Sequence, residues 1–417
     1  MLSNNKNNTW ARPVFFAVVA SMLYAYEYAQ MALFNNLYPI IQQEYVLSNQ
    51  QMGHVSMLYF LGMLSVFPLV SWVLSRNNPA TVLFISILGI ICTTVGFASS
   101  QTCTELKAYR FLQGVFASPT YVSCLLVTTK AFQEQYRPII TGLVFATGAL
   151  GGVVAQLLGQ IAINKMGWRL ALETDVWIGV VMLFVYALLL QAESDEQEHG
   201  QEKTDFSSML WQTINTPGLW LCAAFAACIN VTAVLLGAVY GSAYLQRIHA
   251  LSPEKAAFIS SCLYMGVILG SVFWGKWVWY TKGAISGLYL GVLGNLAVLS
   301  SMHFINSHHA YWLAMHFIAI GVFSSSQAQV YPIIHNLLPK SAVGIGKSLV
   351  VVVVIMCACI TPWLISNLQE IVDFVGGANT FEGQIEQYIV PELIYVSIGA
   401  LLCTYLLSRD KMVAQKA

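Results

Sequence analysis

The stretch PVFFAVVASMLYAYEYAQMALFNN, Pro13 to Asn36, carries one charged side chain, Glu27. A helix needs about 20 apolar residues to cross a hydrocarbon core of roughly 30 Å. The stretch therefore reads as a spanning helix with a carboxylate inside it. The whole chain agrees: of 417 residues, 57% are hydrophobic and 9% charged, and the mean hydropathy is +0.65. A soluble domain carries about a quarter charged residues, so this chain cannot cover its own surface in water. Basic and acidic residues balance at 19 each, which leaves no electrostatic footprint for a nucleic acid. The opening MLSNNKNNTWARP is not followed by a short apolar core and a small-residue cleavage site, so the first run is expected to be a retained helix.

Working outward, apolar runs recur at about 13–36, 52–74, 80–99, 105–130, 138–163, 170–191, 217–245, 254–278, 283–304, 309–337, 342–368 and 390–408. The expected fold is all-α integral membrane, with twelve transmembrane helices. The polar stretch QAESDEQEHGQEKTDFSS, Gln191 to Ser208, interrupts them and reads as a linker. The expected organisation is an N-terminal six-helix bundle over 1–191, a cytoplasmic linker over 192–216 and a C-terminal six-helix bundle over 217–417. The halves look pseudo-symmetric: the step from Pro13 to Pro217 also carries Ser71 to Gly275 and Gly142 to Gly346. A duplicated six-plus-six membrane protein points to a transporter with its substrate site between the halves. With the N-terminus inside, thirteen Lys and Arg residues fall in inner loops and termini and five in outer loops. That bias places both termini in the cytoplasm.

The motifs then point to a family. YRFLQGVFAS places Arg110, Gln113, Gly114 and Ala117 in an Arg-x-x-Gln-Gly-x-x-Ala pattern, and GWR spans Gly167 to Arg169. With these the chain resembles the major facilitator superfamily over essentially its whole length. GVFSSSQAQVYPII in the tenth run resembles a bacterial nutrient-uptake branch that includes phagosomal nutrient transporters. Two departures stand out. After the second run the superfamily has an Asp-Arg gate loop, and here SWVLSRNNP keeps only Arg76; the second-half copy places Trp279 at the Asp position. In the fifth run Gly142, Gly151 and Gly159 match the antiporter pattern, but Ala155 and Gln156 replace its Gly-Pro and Gln160 its last Gly. Without the kinking Pro, drug–proton exchange loses support and a symporter or uniporter gains.

Apart from residues at span ends, the intramembrane charges are Glu27 and Arg110. A charge at the bilayer centre costs about 2.5 to 3.5 kcal/mol even on insertion scales, so such groups face cavities and find partners. At about 1.5 Å per residue, Glu27 lies roughly 21 Å above the inner end of its helix and Arg110 roughly 8 Å below the outer end of its own. The depths match, so the two are expected to pair. The pair is either a coupling or substrate-contact site, or a structural tie between two helices. Tyr24, Tyr28 and Asn35 repeat along one stripe with Glu27, to bind a polar solute or to satisfy one another. Gln113, Gln156, Asn230, Gln327 and Tyr331 complete the substrate or coupling set. His316 is a second titratable group. The nine cysteines lack CxxC or metal-ligand spacing and read as inert packing. GALGG, Gly148 to Gly152, reads as close helix packing, not a phosphate loop.

No metal or cofactor motif, nucleophile–base constellation or Walker loop is present, so an enzyme or pumping ATPase is not expected. The expected function is secondary active transport of a small polar nutrient, an amino acid or similar metabolite, by alternating access with protons as co-substrate. Alternatives are an exporter of a metabolite or siderophore, and a non-transporting membrane sensor of the same fold. The expected partners are a small-molecule substrate, protons and the lipid bilayer, with a monomeric chain.

Overall fold

A computed structural model of the chain describes residues 11–130, 132, 137–190, 206–281, 284–304, 309–339, 342–367 and 389–409. Among them the chain is helical, without strands. We label the long helices α1 (Ala11–Glu44), α2 (Asn49–Arg76), α3 (Pro79–Ser99), α4 (Cys103–Lys130), α5 (Arg137–Met166) and α6 (Trp168–Leu190). The second half supplies α7 (Pro217–Val239), α8 (Pro253–Thr281), α9 (Ala284–Phe304), α10 (Ala310–Leu337), α11 (Val343–Ser366) and α12 (Ile389–Arg409). The stretches from α3 to α12 are each long and apolar enough to cross a membrane. With α1 and α2, at 34 and 28 residues, they give the twelve helices expected. A short helix, Phe206–Ile214, lies within the expected linker. Residues 191–205 of that linker, the first ten residues and 410–417 lie outside the described residues.

Local chemistry sets the helix ends. Asn78 caps α3 by accepting from the Ala80 N–H at 2.9 Å, with Pro79 in the first turn, where its missing donor costs nothing. Thr102 and Glu105 form a reciprocal capping box at the start of α4. Inside the spans, hydroxyls donate to carbonyls one turn back: Ser86 to Val82 and Thr128 to Cys124, each at 2.8 Å. This keeps polar groups satisfied where no water reaches them. Three helices are irregular. α4 is interrupted at Ser118–Pro119, because Pro119 cannot donate to the ladder. α7 becomes a π-helix over Val234–Val239, and α10 tightens to a 3-10 turn over Ser325–Gln329.

The chain divides into two compact units, Met1–Leu33 with Leu61–Gly200, and Phe34–Phe60 with Gln201–Ala417. The second unit thus takes in the far part of α1, which runs to Glu44, well past Asn36, where the apolar run ends. Its polar residues are tied within that unit. Asn35 accepts from the Ser242 N–H at 2.9 Å, the Arg247 guanidinium donates to Gln42 at 2.6 Å, and Tyr38 packs edge-on to Tyr240 at 5.1 Å.

Close packing repeats between the halves. In the first unit a Cβ at Gly62 on α2 would meet the Phe111 carbonyl of α4. In the second, a Cβ at Gly266 on α8 would meet the Ile318 carbonyl of α10. Gly62 and Gly266 are separated by the same interval as Pro13 and Pro217. Gly89 against Phe116 and Gly294 against Phe323 give a second matching pair, on the third and fourth helices of each half. Gly148 and Gly151 sit under the Tyr24 ring and the Ala25 carbonyl, so GALGG brings α5 against α1, as a packing surface does.

Candidate functional site

α1 concentrates polar side chains in an apolar helix because it is packed on several sides. Tyr24, Glu27 and Gln30 are all buried, Glu27 to 5% exposure. Tyr24 meets Tyr28 edge-on at 6.1 Å and Tyr121 of α4 at 5.3 Å, so the tyrosine stripe is an aromatic cluster beside Glu27. On α4, Arg110 is 4% exposed and its Nη1 donates to Gln113 Oε1 at 3.0 Å, one turn along the helix. The Arg-x-x-Gln spacing thus lets the amide orient the guanidinium.

From Gln113 a chain of hydrogen bonds continues through the first unit. Gln113 Nε2 donates to Thr94 Oγ1 of α3 at 3.2 Å, and the Thr94 hydroxyl lies 3.4 Å from Gln30 Oε1 of α1. Gln30 Nε2 donates to Asp175 Oδ2 of α6, and Tyr26 donates to the Asp175 backbone carbonyl at 3.4 Å. One polar path joins α4, α3, α1 and α6, with a cation at one end and a carboxylate at the other. Asp175 corrects the expectation that Glu27 and Arg110 are the intramembrane charges away from span ends. The acid lies more than a turn into α6, held by an amide from another helix.

The remaining expected residues fall into separate groups. Gln156 on α5 donates to the Ala32 carbonyl of α1 at 2.8 Å, which makes it a tie between two helices. Asn35 accepts a backbone N–H near the far end of α1, away from this path. In the second unit, Asn230 of α7 donates to Gln327 of α10 at 3.1 Å. Tyr331, half-buried, packs against the apolar core of that unit. Both ring nitrogens of His316 have neutral partners, Ser301 Oγ and the Trp312 carbonyl, each at 2.8 Å. A second polar triad links the first, third and sixth helices of this half: Asn295 of α9 donates to Thr232 of α7 at 3.3 Å and to Ser397 of α12 at 3.0 Å. Among the described residues no cluster of His, Cys, Asp and Glu is placed to hold a metal ion.

The residues missed from sequence were Thr94, Gln30 and Asp175. The available signal was an acid on the sixth run and an amide one turn after Glu27.

Twelve membrane-length helices, with opposite charges buried on the first and fourth and a half-buried carboxylate on the sixth, define a multi-pass membrane protein. The chain belongs to the Major Facilitator Superfamily, whose family model matches residues 20–362. That family is one of transporters, not of enzymes. It is similar to the cis,cis-muconate transport protein of Acinetobacter baylyi, 25% identical over 174 residues, 40% of this chain and 41% of that one. It is also similar to multidrug resistance protein 3 of Bacillus subtilis, 21% identical over 260 residues (49% and 50%), and to the benzoate transport protein of A. baylyi, 20% identical over 160 residues (37% and 34%). These matches span half or less of each relative. Among solved structures, a bacterial homolog of the human lysosomal transporter Spinster, inward-facing and unoccupied, superposes with a TM-score of 0.71. That match covers 99% of this chain and 94% of the other at 15% identity, a likeness of fold.

Proposed function

We propose that this carrier takes up a small polar nutrient, an amino acid or a similar metabolite, by alternating access with protons as the coupling ion. In this reading it lies in a bacterial inner membrane with both termini cytoplasmic, as a monomer of two six-helix halves, 1–191 and 217–417, joined by a linker over 192–216. The observation that carries it is the burial of opposite charges, Glu27 on α1 and Arg110 on α4, in the first unit. Glu27 is the proton-binding group, and Arg110, steadied by Gln113, receives the solute's carboxylate or Glu27 in turn. Two relatives are named for the transport of muconate and benzoate, both organic carboxylates, which fits a guanidinium at the site. Tyr24 and Tyr28 supply phenol groups beside Glu27.

The test has two stages. A panel of amino acids and small carboxylates is screened by thermal shift on purified protein, since a ligand of the folded state raises its stability. Glu27→Gln is then assayed in proteoliposomes with the hit. Counterflow should persist while accumulation driven by a proton gradient falls at least tenfold. Full accumulation by the variant would make the carboxylate structural.

A second reading is drug export, favoured by the similarity to multidrug resistance protein 3. The replacement of Gly-Pro by Ala155 and Gln156 argues against it. Drug resistance on expression, abolished by collapsing the proton gradient, would establish export instead.

A further inference from the structure

Asp175 is absent from the set that the motifs single out, yet it ends the longest polar path in the first unit. The order of donors along that path is fixed by its ends. Arg110 can only donate, so Gln113 must turn its oxygen to Arg110 and its NH2 to Thr94. An ionised Asp175 can only accept, so Gln30 must turn its NH2 to Asp175 and its oxygen to Thr94. Both amides are therefore pinned, and every donor points from cation towards anion.

The second half shows what a purely structural tie requires. There the first, third and sixth helices are joined by Thr232, Asn295 and Ser397, all neutral. The first half joins the same three helices through Gln30, Thr94 and Asp175. A hydroxyl serves on the sixth helix of one half, so a carboxylate on the sixth helix of the other exceeds what the tie needs. A charge within a membrane-spanning helix is retained at a cost, and that excess points to use.

We propose that Asp175 is a second proton-binding site of the carrier, whose charge state sets the polarity of the path as far as Thr94. The inference rests on the proton-coupled reading above. A proton from water binds the Asp175 carboxylate, and the new O–H donates to Gln30 once that amide has turned over. Gln30 then donates its NH2 to Thr94. Thr94 accepts from both amides and turns its own hydrogen from Gln30 to the Ile90 carbonyl, already 2.8 Å away. The reversal ends at Thr94, Gln30 keeps a partner at each end of its amide, and one negative charge is removed from the path that leads to Arg110. An anionic solute is then bound more readily at that guanidinium, so proton and solute binding favour each other.

The groups around Asp175 permit this. Tyr26 is the titratable side chain that faces it from α1, and on α3 the path reaches Thr94 through Gln30, a hydroxyl that does not titrate in water. On α6 itself Glu173 is exposed, and Arg169 reaches to the Ser100 carbonyl at 3.5 Å. The ionisable residues of α5 are Arg137 and Lys165, at its two ends.

The test is infrared difference spectroscopy of the full chain in nanodiscs across about pH 5 to 9, reading protonated carboxyl bands. No substrate is needed. The wild type should show a titrating carboxyl band that is lost in Asp175→Asn and in Asp175→Ser, the residue type the second half uses, and kept in Glu27→Gln. The chain has five aspartates, Asp175, Asp195, Asp205, Asp373 and Asp410. If neither variant folds, carbon-13 labelling of aspartate in a chain whose other four aspartates are replaced by Asn should shift the band. A wild type with no titrating carboxyl band, or a band unmoved by both Asp175 variants and by the label, overturns the proposal. A band lost only in Glu27→Gln would overturn it and leave the Glu27 reading intact.

Discussion

Gly266 lies where α8 and α10 touch backbone to backbone, and Gly266→Ala is the sharpest test of the packing described above. A Cβ there would stand 2.9 Å from the Ile318 carbonyl carbon and 3.0 Å from the Gly321 Cα, nearer still to the Ile318 oxygen. Ordinary contact begins at 3.4 Å, and the obstacle is backbone, which cannot rotate away as a side chain does. The helices must part by about 1 Å, and overpacking of this kind costs about 1–3 kcal/mol. The same separation strains two further ties between α8 and α10. Trp274 Nε1 donates to the Val322 carbonyl at 2.7 Å, and Gln329 Nε2 to the Trp274 carbonyl at 3.0 Å. Losing one adds about 1 kcal/mol, for a total near 2–4 kcal/mol. At about 2–4 °C per kcal/mol for a unit of this size, thermal unfolding in detergent should fall by roughly 5–10 °C. Gly344→Ala is the control: a Cβ there meets nothing within 4 Å, and helix propensity predicts a gain of up to about 1 kcal/mol. Equal stability of the Gly266→Ala variant and the parent would refute the close-packing argument and weaken the correspondence of Gly62 with Gly266.

Two further outcomes are expected. Gln113→Leu removes the acceptor from Arg110 and a donor from Thr94, and should lower stability by about 1.5–3 kcal/mol in the same unfolding assay; Gln113→Glu, which keeps the acceptor, should lose less. Reporter fusions after Ala417 and near Glu198 should both lie in the cytoplasm, and activity of either on the far side would overturn the orientation drawn from the Lys and Arg residues.

The twelve spans were legible because each is a long apolar run, and crossing length is a property of the run alone. Arg110 with Gln113 was legible because the partners are one turn apart on one helix. Asp175 was not, since its significance depends on Gln30 of α1, far away in sequence, and nothing local distinguishes it from a helix-end acid. The far end of α1 was missed for a related reason. Asn35, Asn36 and Pro39 resemble a helix terminus, and the helix continues because Ser242, Tyr240 and Arg247 engage its polar side chains. The π stretch of α7 and the 3-10 turn of α10 have no Pro within them, so composition alone could not mark them. Of the expected site residues, Glu27 and Arg110 are buried, Asn230 bonds Gln327, Gln156 bonds the Ala32 carbonyl and Asn35 accepts from the Ser242 N–H, pairings that no local pattern announces.

The 3-10 turn at Ser325–Gln329 has a bearing on any residue-by-residue scan of α10. A 3-10 helix advances about 120° per residue where an α-helix advances about 100°, so five residues accumulate roughly 100° of extra rotation. They also add about 2.5 Å of length, at roughly 2.0 Å of rise instead of 1.5 Å. A wheel drawn through the whole of Ala310–Leu337 at one period therefore assigns the residues after Gln329 to the wrong side by more than a quarter turn. In a cysteine-labelling scan, the phase of reactivity before Ser325 should not extrapolate across the break, and the solvent-facing phase must be fitted anew from Val330, with Tyr331 and His335 on whichever side that second fit gives.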